Sequence, residues 1–369
     1  MKAKLEDVCD KGTSNIRLSD VAGKSGKYPI YGASGYIGNV DFYQQENPYV
    51  AVVKDGAGIG RAILCPSKSS VIGTLQYLIP KNNILAEYLF YVISNMHLER
   101  YYSGATIPHI YFRDYKKETF NVHSMDEQKK FIGIFNHVEK MIELRKKEIL
   151  LFDELIKSRF IELFVETDVA LEWPYCTIAD VSQNMRTGPF GSALHHDEFV
   201  DSGVFVLGID NAVENKFSYN RMRYITEEKY QQLKRYTVYP GDVIITIMGT
   251  VGRSAVIPAD IPKAINTKHL ACITPNVEIV NAQFLSCAFQ IHPDIRKQLQ
   301  KQCKGAIMDG LNLTIIKGLS FHIPPINIQN QFVEFYEQID KSRLKMEKSS
   351  KMIQYMIQYK MNTVFSDKE

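Results

Sequence analysis

A chain of 369 residues exceeds one ordinary domain, and 45% apolar with 23% charged residues describe a folded protein with material for two cores. A net charge of +3 excludes nucleic-acid binding by bulk charge, so any such binding has to come from local patches. No apolar run reaches the roughly 18 residues of a membrane span. The start, MKAKLEDVCD, holds no signal core. The six cysteines (Cys9, Cys65, Cys176, Cys272, Cys287 and Cys303) form no C-x-x-C pair, which argues against zinc and fits buried thiols in a reducing cytoplasm.

In chain order, residues 1–124 alternate short β-like runs (YPIYG, YVAVV, RAILC) with Gly, Asn and Asp turns, and end in a helical stretch near 85–101. Within them, VVKDGAGIGR at 52–61 has the look of a strand running into a cofactor loop. Residues 125–166 lack proline and place Phe135, Val138, Ile142, Ile149, Phe152, Ile156 and Leu163 on a heptad seam, broken by Arg145 and Arg159. This predicts a helix of nearly forty residues, about 58 Å long, with Ser124 and Asp126 as caps. Residues 167–325 form a second globular stretch (GVFVLG, DVIITI, ACITP) with a helical stretch at 282–303. Residues 326–369 form a second arm with Phe332, Tyr336, Ile339, Met346, Ile353, Ile357 and Val364 on its stripe.

The chain is therefore written twice. Residues 104–164 align with 305–365 without a gap: Gly104-Ala105 meets Gly305-Ala306, Lys116 meets Lys317, Phe120 meets Phe321, Gln128 meets Gln329, and Phe164 meets Phe365. Upstream, KLEDVC (4–9) resembles TIADVS (177–182), and GKYPIYG (26–32) resembles SGVFVLG (202–208). PYVAVVKDGAGIGR (48–61) lies on PGDVIITIMGTVGR (240–253). That pairing keeps Gly60-Arg61 opposite Gly252-Arg253 but sets Ile247 against Asp55 and Thr250 against Gly58. A phosphate loop needs its acid, its glycines and a following helix. AILCP and SAVIP are instead strand-like, so a structural turn is expected. A long apolar stripe needs a partner, and the other arm, antiparallel about an internal two-fold, is the expected one. The class is α+β in each half with a helical stalk.

The string TGPFGSAL (187–194) is followed by His195-His196, which lack a third metal ligand. Together with the repeated G-x-x-G-R turn, NTKHLACITPN (266–276) and PPINIQNQF before the second arm, it resembles the specificity subunit of type I restriction–modification systems. The order of recognition domain, helical repeat, recognition domain, helical repeat is shared over essentially the whole chain. The first half has GKYPIYGASGYIG where the second has TGPFGS, and resembles the other common type of recognition domain, so the two half-sites are expected to differ. The first arm opens on His123-Ser124 where the second has Pro324-Pro325.

The resemblance implies a non-catalytic reader of a bipartite site in double-stranded DNA. It would dock two adenine-N6 methyltransferase subunits, and restriction subunits can join them. No cofactor, metal or membrane is expected. Neither an N-P-P-[YF] or D-P-P-[YF] tetrad nor a G-x-x-x-x-G-K-[ST] loop is present, so base flipping and methyl transfer fall to a partner. Candidate contacts, chosen for base-edge and phosphate chemistry near turns, are Tyr31, Ser34, Tyr36, Lys54, Arg61, Gln76, Tyr77 and His109 in the first half. In the second they are Arg186, Thr187, Phe190, Ser192, His195, Lys216, Arg253, Lys268, His269 and Asn312. The arms would set the spacing of the half-sites. Two other readings fit the same sequence: a two-headed coiled-coil adaptor with a non-DNA partner, and a methyltransferase built on residues 52–61.

Overall fold

The computed structural model describes residues 1–104, 107–303 and 311–366. Ala105, Gly305 and Ala306 of the repeat lie outside the described residues, as do the side chains of Ser192, Gln302 and Cys303. The chain divides into two compact units, residues 1–148 with 346–369, and residues 149–345.

In the first unit a four-stranded antiparallel sheet takes the order Cys9–Thr13, Leu75–Pro80, Tyr49–Val53, Ala62–Cys65. Tyr49–Val53 is buried at every residue because the sheet is covered on both faces. A smaller sheet orders Gly35–Val40, Tyr28–Gly32 and Ser70–Val71, the last two parallel. In the second unit the four-stranded sheet takes the same order with Ser182–Thr187, Leu270–Pro275, Val243–Thr246 and Ser254–Val256. Its smaller sheet again holds a parallel pair, Val204–Leu207 with Ala264–Asn266. The two sheet domains thus share one frame, although their loop sequences differ.

The repeat is kept at the level of hydrogen bonds. Lys4 N–H donates to Asp7 at 3.0 Å and Thr177 N–H to Asp180 at 2.8 Å. Leu5 N–H reaches Glu118 O at 3.0 Å, and Ile178 N–H reaches Leu319 O at 2.8 Å. Short antiparallel pairs, Lys2–Lys4 with Thr119–Asn121 and Tyr175–Thr177 with Ser320–His322, bury Phe120 and Phe321.

The helical stretches after the sheets are interrupted. Ala86–Asn95 is followed by His97 at φ +52° and a short turn Leu98–Tyr101. Ala282–Ile291 stops before Pro293, which has no N–H to continue the ladder and starts Pro293–Cys303.

The long helices run Met125–Phe164 and Ile326–Phe365, 40 residues each, or about 60 Å. Every seam position named from the sequence is buried or half-buried, Arg145 and Arg159 included; long basic side chains lay their stems along apolar surface. In the first unit the start of one helix meets the end of the other, with Phe135 and Phe365 at 5.8 Å between ring centroids. In the second unit Phe164 and Phe332 make the reciprocal pair at 5.5 Å. Ser124 caps the first helix in a reciprocal box with Glu127, while Asp126 is an exposed first-turn residue.

One residue type locks each helix start to its sheet domain. Gln128 is fully buried; it accepts from Leu85 N–H at 2.9 Å and donates to Asn83 O and His123 O, both at 3.0 Å. Gln329, also fully buried, accepts from Asn281 N–H at 2.9 Å and donates to Ile279 O at 2.9 Å and Pro324 O at 2.8 Å. Replacing either by alanine removes the partner of one half-buried N–H and of two carbonyls. We expect each of Gln128→Ala and Gln329→Ala to cost about 1–3 kcal/mol, read as a lowered denaturant midpoint. An unchanged midpoint would mean that water satisfies these groups.

Candidate nucleic-acid interface

Each unit gathers its loops at one end of the four-stranded sheet. In the first, Tyr49–Val53 turns back into Ala62–Cys65 through a loop closed by Val53 N–H to Arg61 O at 3.0 Å and Gly60 N–H to Val53 O at 2.9 Å. In the second, Thr246 N–H donates to Arg253 O and Gly252 N–H to Thr246 O, both at 2.8 Å. Gly60 and Gly252 sit at φ +82° and +80°, a region side chains avoid. The glycine segment is therefore a β-hairpin turn in both halves, with strand rather than helix after it, and provides no helix N-terminus for a cofactor phosphate. The second loop is one residue shorter, so the ungapped pairing shifts: Ile247 stands opposite Lys54, and Met248 opposite Asp55.

A three-way junction fixes each loop. Lys54 N–H donates to Thr74 O at 3.0 Å, and Lys54 O accepts from Ile110 N–H at 2.9 Å. Ile247 N–H donates to His269 O at 3.0 Å, and Ile247 O accepts from Leu311 N–H at 2.9 Å. The first junction brings Lys54, Arg61 and His109 together. Arg61 is exposed, and its guanidinium donates to Ala33 O at 3.2 Å. That contact joins the loop to the tip of the hairpin Tyr28–Gly32 with Gly35–Val40. Exposed Ser34 is at this tip, and half-buried Tyr31 lies edge-on to exposed Tyr36 with centroids 6.1 Å apart. Burial pushes the Tyr31 hydroxyl above its usual range.

The second junction carries Arg253, Lys268 and His269. Arg253 and Lys268 are exposed, without an ion-pair partner among the described residues. Burial, then the Lys268 and Arg223 charges, hold the His269 imidazole below its usual range. Two sequence strings prove to be one feature here. A Cβ on Gly188 would lie 2.2 Å from Asn266 O and from Thr267 C, so only glycine lets the TGPFGS turn rest on the NTKHL turn. Half-buried Thr187 and exposed Phe190 flank this contact in one string, and exposed Lys268 and half-buried His269 follow it in the other. His195 is exposed, and its backbone N–H donates to Glu198.

Five candidates are corrected. Gln76 and Tyr77 lie inside the central strand Leu75–Pro80, paired on both sides and buried; Gln76 donates to the Tyr115 hydroxyl, and Tyr77 packs edge-on against Tyr49. Arg186 is turned inward: its guanidinium serves Thr237 O, Thr274 Oγ1 and the buried Asp242 carboxylate. Lys216 is held by Asp340 of the second long helix at 2.8 and 3.0 Å. Asn312 is a helix N-cap, its side chain accepting from Ile315 N–H at 2.9 Å. Sequence reasoning also passed over Asp55, Tyr111 and Arg113, which surround His109: Asp55 bonds its ring, Tyr111 stacks on it, and Arg113 lies over Tyr111. Asp55 lies in KDGAGIGR, a string whose glycines match a backbone cradle and leave no local sign of its histidine partner.

The family model described as type I restriction modification DNA specificity domain matches residues 1–151 and 172–354. The chain belongs to this family. It is 20% identical over 348 residues to the Methanocaldococcus jannaschii type I restriction enzyme MjaVIII specificity subunit, covering 87% of this chain and 80% of that protein. It is 25% identical over 168 residues to the Escherichia coli EcoBI specificity subunit, covering 46% of this chain and 35% of that relative; the chain thus spans about a third of that relative's length. Among solved structures, the type I restriction–modification S subunit from M. genitalium superposes with a TM-score of 0.61 at 15% identity, covering 100% of this chain and 96% of that one. A chain from a study of assembly and conformational transition of the type I R-M system gives 0.62 at 12% identity, covering 99% and 97%. These likenesses establish the fold.

Two arginines that look alike in sequence should separate in experiment. Arg186→Ala leaves Asp242 buried and unpaired and is expected to cost about 3–5 kcal/mol of stability, read by thermal or denaturant unfolding. Arg253→Ala should leave unfolding unchanged and weaken DNA binding alike on all sequences, with the salt slope lower by about one. The reverse pattern would overturn both assignments.

Proposed function

We propose that this chain is the DNA-reading subunit of a type I restriction–modification complex, with no catalytic centre of its own. It works in the cytoplasm, where each loop junction reads one half of a split, asymmetric site. The observation that carries the reading is the family match over both halves, together with two loop junctions on one frame bearing different side chains. Exposed Arg61 and Arg253 suit phosphate contacts. Tyr36, Ser34, Phe190, Lys268 and His269 suit base edges or stacking. The domain limits 1–124, 125–166, 167–325 and 326–369 are kept as functional divisions. Helices of about 60 Å, roughly 1.7 turns of duplex, would set the spacer between half-sites.

The reading is tested by mapping N6-methyladenine in cells with and without this gene, the methyltransferase subunit being present in both. Loss of methylation at one split, asymmetric motif is the expected result. Matching methylomes would reject the reading and favour a two-headed adaptor for a non-DNA partner.

We also assign two methyltransferase docking surfaces, one per arm. At repeat-equivalent positions, Leu151 and Leu155 of the first helix are 64% and 46% exposed, and Met352 and Met356 of the second 62% and 63%. Exposed apolar side chains one turn apart, at matching places in both repeats, give each arm a small apolar patch that a protein partner could cover. Native mass spectrometry of the complex should show two methyltransferase subunits per chain. Leu151→Asp with Leu155→Asp should remove one, and Met352→Asp with Met356→Asp the other. Full occupancy in either double variant would place the docking surface elsewhere.

A further inference from the structure

His109 is held through both its backbone and its ring. Its N–H and C=O exchange hydrogen bonds with Ser103, both at 2.8 Å, and its neighbour Pro108 accepts from Gly56 N–H at 3.0 Å. The segment is thus clamped between two strands of loop. The ring is fixed as well. Nδ1 lies 2.6 Å from Asp55 Oδ1, and Tyr111 stacks on the ring at 6.5 Å and 22°. Arg113 lies 4.8 Å over the Tyr111 ring, and Lys54 Nζ is 4.0 Å from the second Asp55 oxygen. The side chain of His109 remains 37% exposed, and Nε2 has no partner among the described residues.

We propose that Asp55 is a positioning residue that keeps the proton on His109 Nδ1, and that Nε2 is thereby presented as an acceptor for the exocyclic amino group of adenine or cytosine. The inference rests on the DNA-reading function above and deepens it for one half-site. Of the two neutral tautomers, a carboxylate, which accepts only, selects the one in which Nδ1 donates, and that tautomer turns the Nε2 lone pair outward. Adenine N6 and cytosine N4 are the donors that the major groove offers to such an acceptor. A phosphate contact fits poorly: the Asp55 charge directly behind the ring opposes a polyanion on every sequence, whereas Arg61 at the same junction has no acid beside it. The device belongs to the first half alone, because Ile247 and Met248 occupy the places of Lys54 and Asp55 in the second.

The test uses the complex of this chain with its methyltransferase subunit. The duplexes carry the motif found by methylation mapping and every single-base variant of its first half-site. Absence of a motif for the unaltered complex would count against the DNA-reading function itself, before this inference is reached. Given a motif, His109→Ala should flatten discrimination about tenfold at one base pair carrying adenine or cytosine on the contacted strand, about 1.4 kcal/mol. The second half-site and the salt slope should not change. Asp55→Ala should lose most of the same discrimination without weakening binding to unrelated DNA, and Asp55→Asn should restore part of it, since its carbonyl can still accept from Nδ1. His109→Asn, which keeps a polar group at the loop, guards against a folding defect, and unfolding midpoints accompany each variant. Uniform loss on all sequences with a reduced salt slope would make His109 a phosphate clamp and overturn the proposal. So would discrimination that is unaltered when the contacted adenine is replaced by purine or the contacted cytosine by pyrimidin-2-one, each lacking the exocyclic amino group, or an Asp55→Ala variant that discriminates normally.

Discussion

An apolar stripe that runs the length of a forty-residue helix cannot be left in water, and this chain carries two. Everything else is arranged around covering them. Helix propensity alone would not hold such elements; tertiary burial of the apolar face does. The ends are where cover is most complete. Phe160, Phe164, Phe284, Phe321 and Phe332 form one aromatic cluster in the second unit, and Tyr88, Phe135 and Phe365 form its counterpart in the first. The buried glutamines then fix the helix start relative to the sheet. Gln128 and Gln329 each tie one helical turn to the connection that precedes the sheet-packed helix, so the loop junction at the end of the sheet inherits its place from the stalk.

The long helices were legible because apolar residues recur with one period over forty residues that hold no proline. Seven-residue spacing survives substitution, and Phe135, Ile142, Ile149, Ile156 and Leu163 announce it without help. The duplicated order was legible for the same reason: Gln128 and Gln329, or Asp7 and Asp180, agree because each pair does the same hydrogen bonding. Side-chain direction in the sheets was less accessible. Gln76 and Tyr77 follow a glycine turn and have the chemistry of base readers, yet they occupy a central strand whose two paired neighbours bury them. Arg186 sits one residue from an exposed loop string, and only the position of Asp242, far along the chain, turns it inward. Partners separated by so many residues leave no local trace.

The same limit explains why the TGPFGS and NTKHL strings were separate motifs in sequence and one structure in space. Gly188 is required by the backbone of Asn266 and Thr267, and that requirement cannot be seen from either string alone. Asp55 was hidden differently: its neighbouring glycines suggested a backbone cradle, and the acid looked like part of it. Its partner, His109, is contributed by a segment that reaches the loop through a backbone bridge.

A frame written twice with different loops has a consequence for specificity. The parts that must agree, namely the strand order, the Gly60 and Gly252 turns and the three-way junctions, are backbone features that carry no base information. The parts free to differ stand on them. Lys54 and Asp55 face Ile247 and Met248 across the repeat, and the Ala33-Ser34 hairpin tip has in its place a short turn, Ile209–Asn211, after the corresponding strand. Duplication therefore preserves the geometry of presentation while each half alters its donors and acceptors independently. On the proposed DNA-reading function, half-sites of unlike sequence would follow from one fold without a change in how either is held.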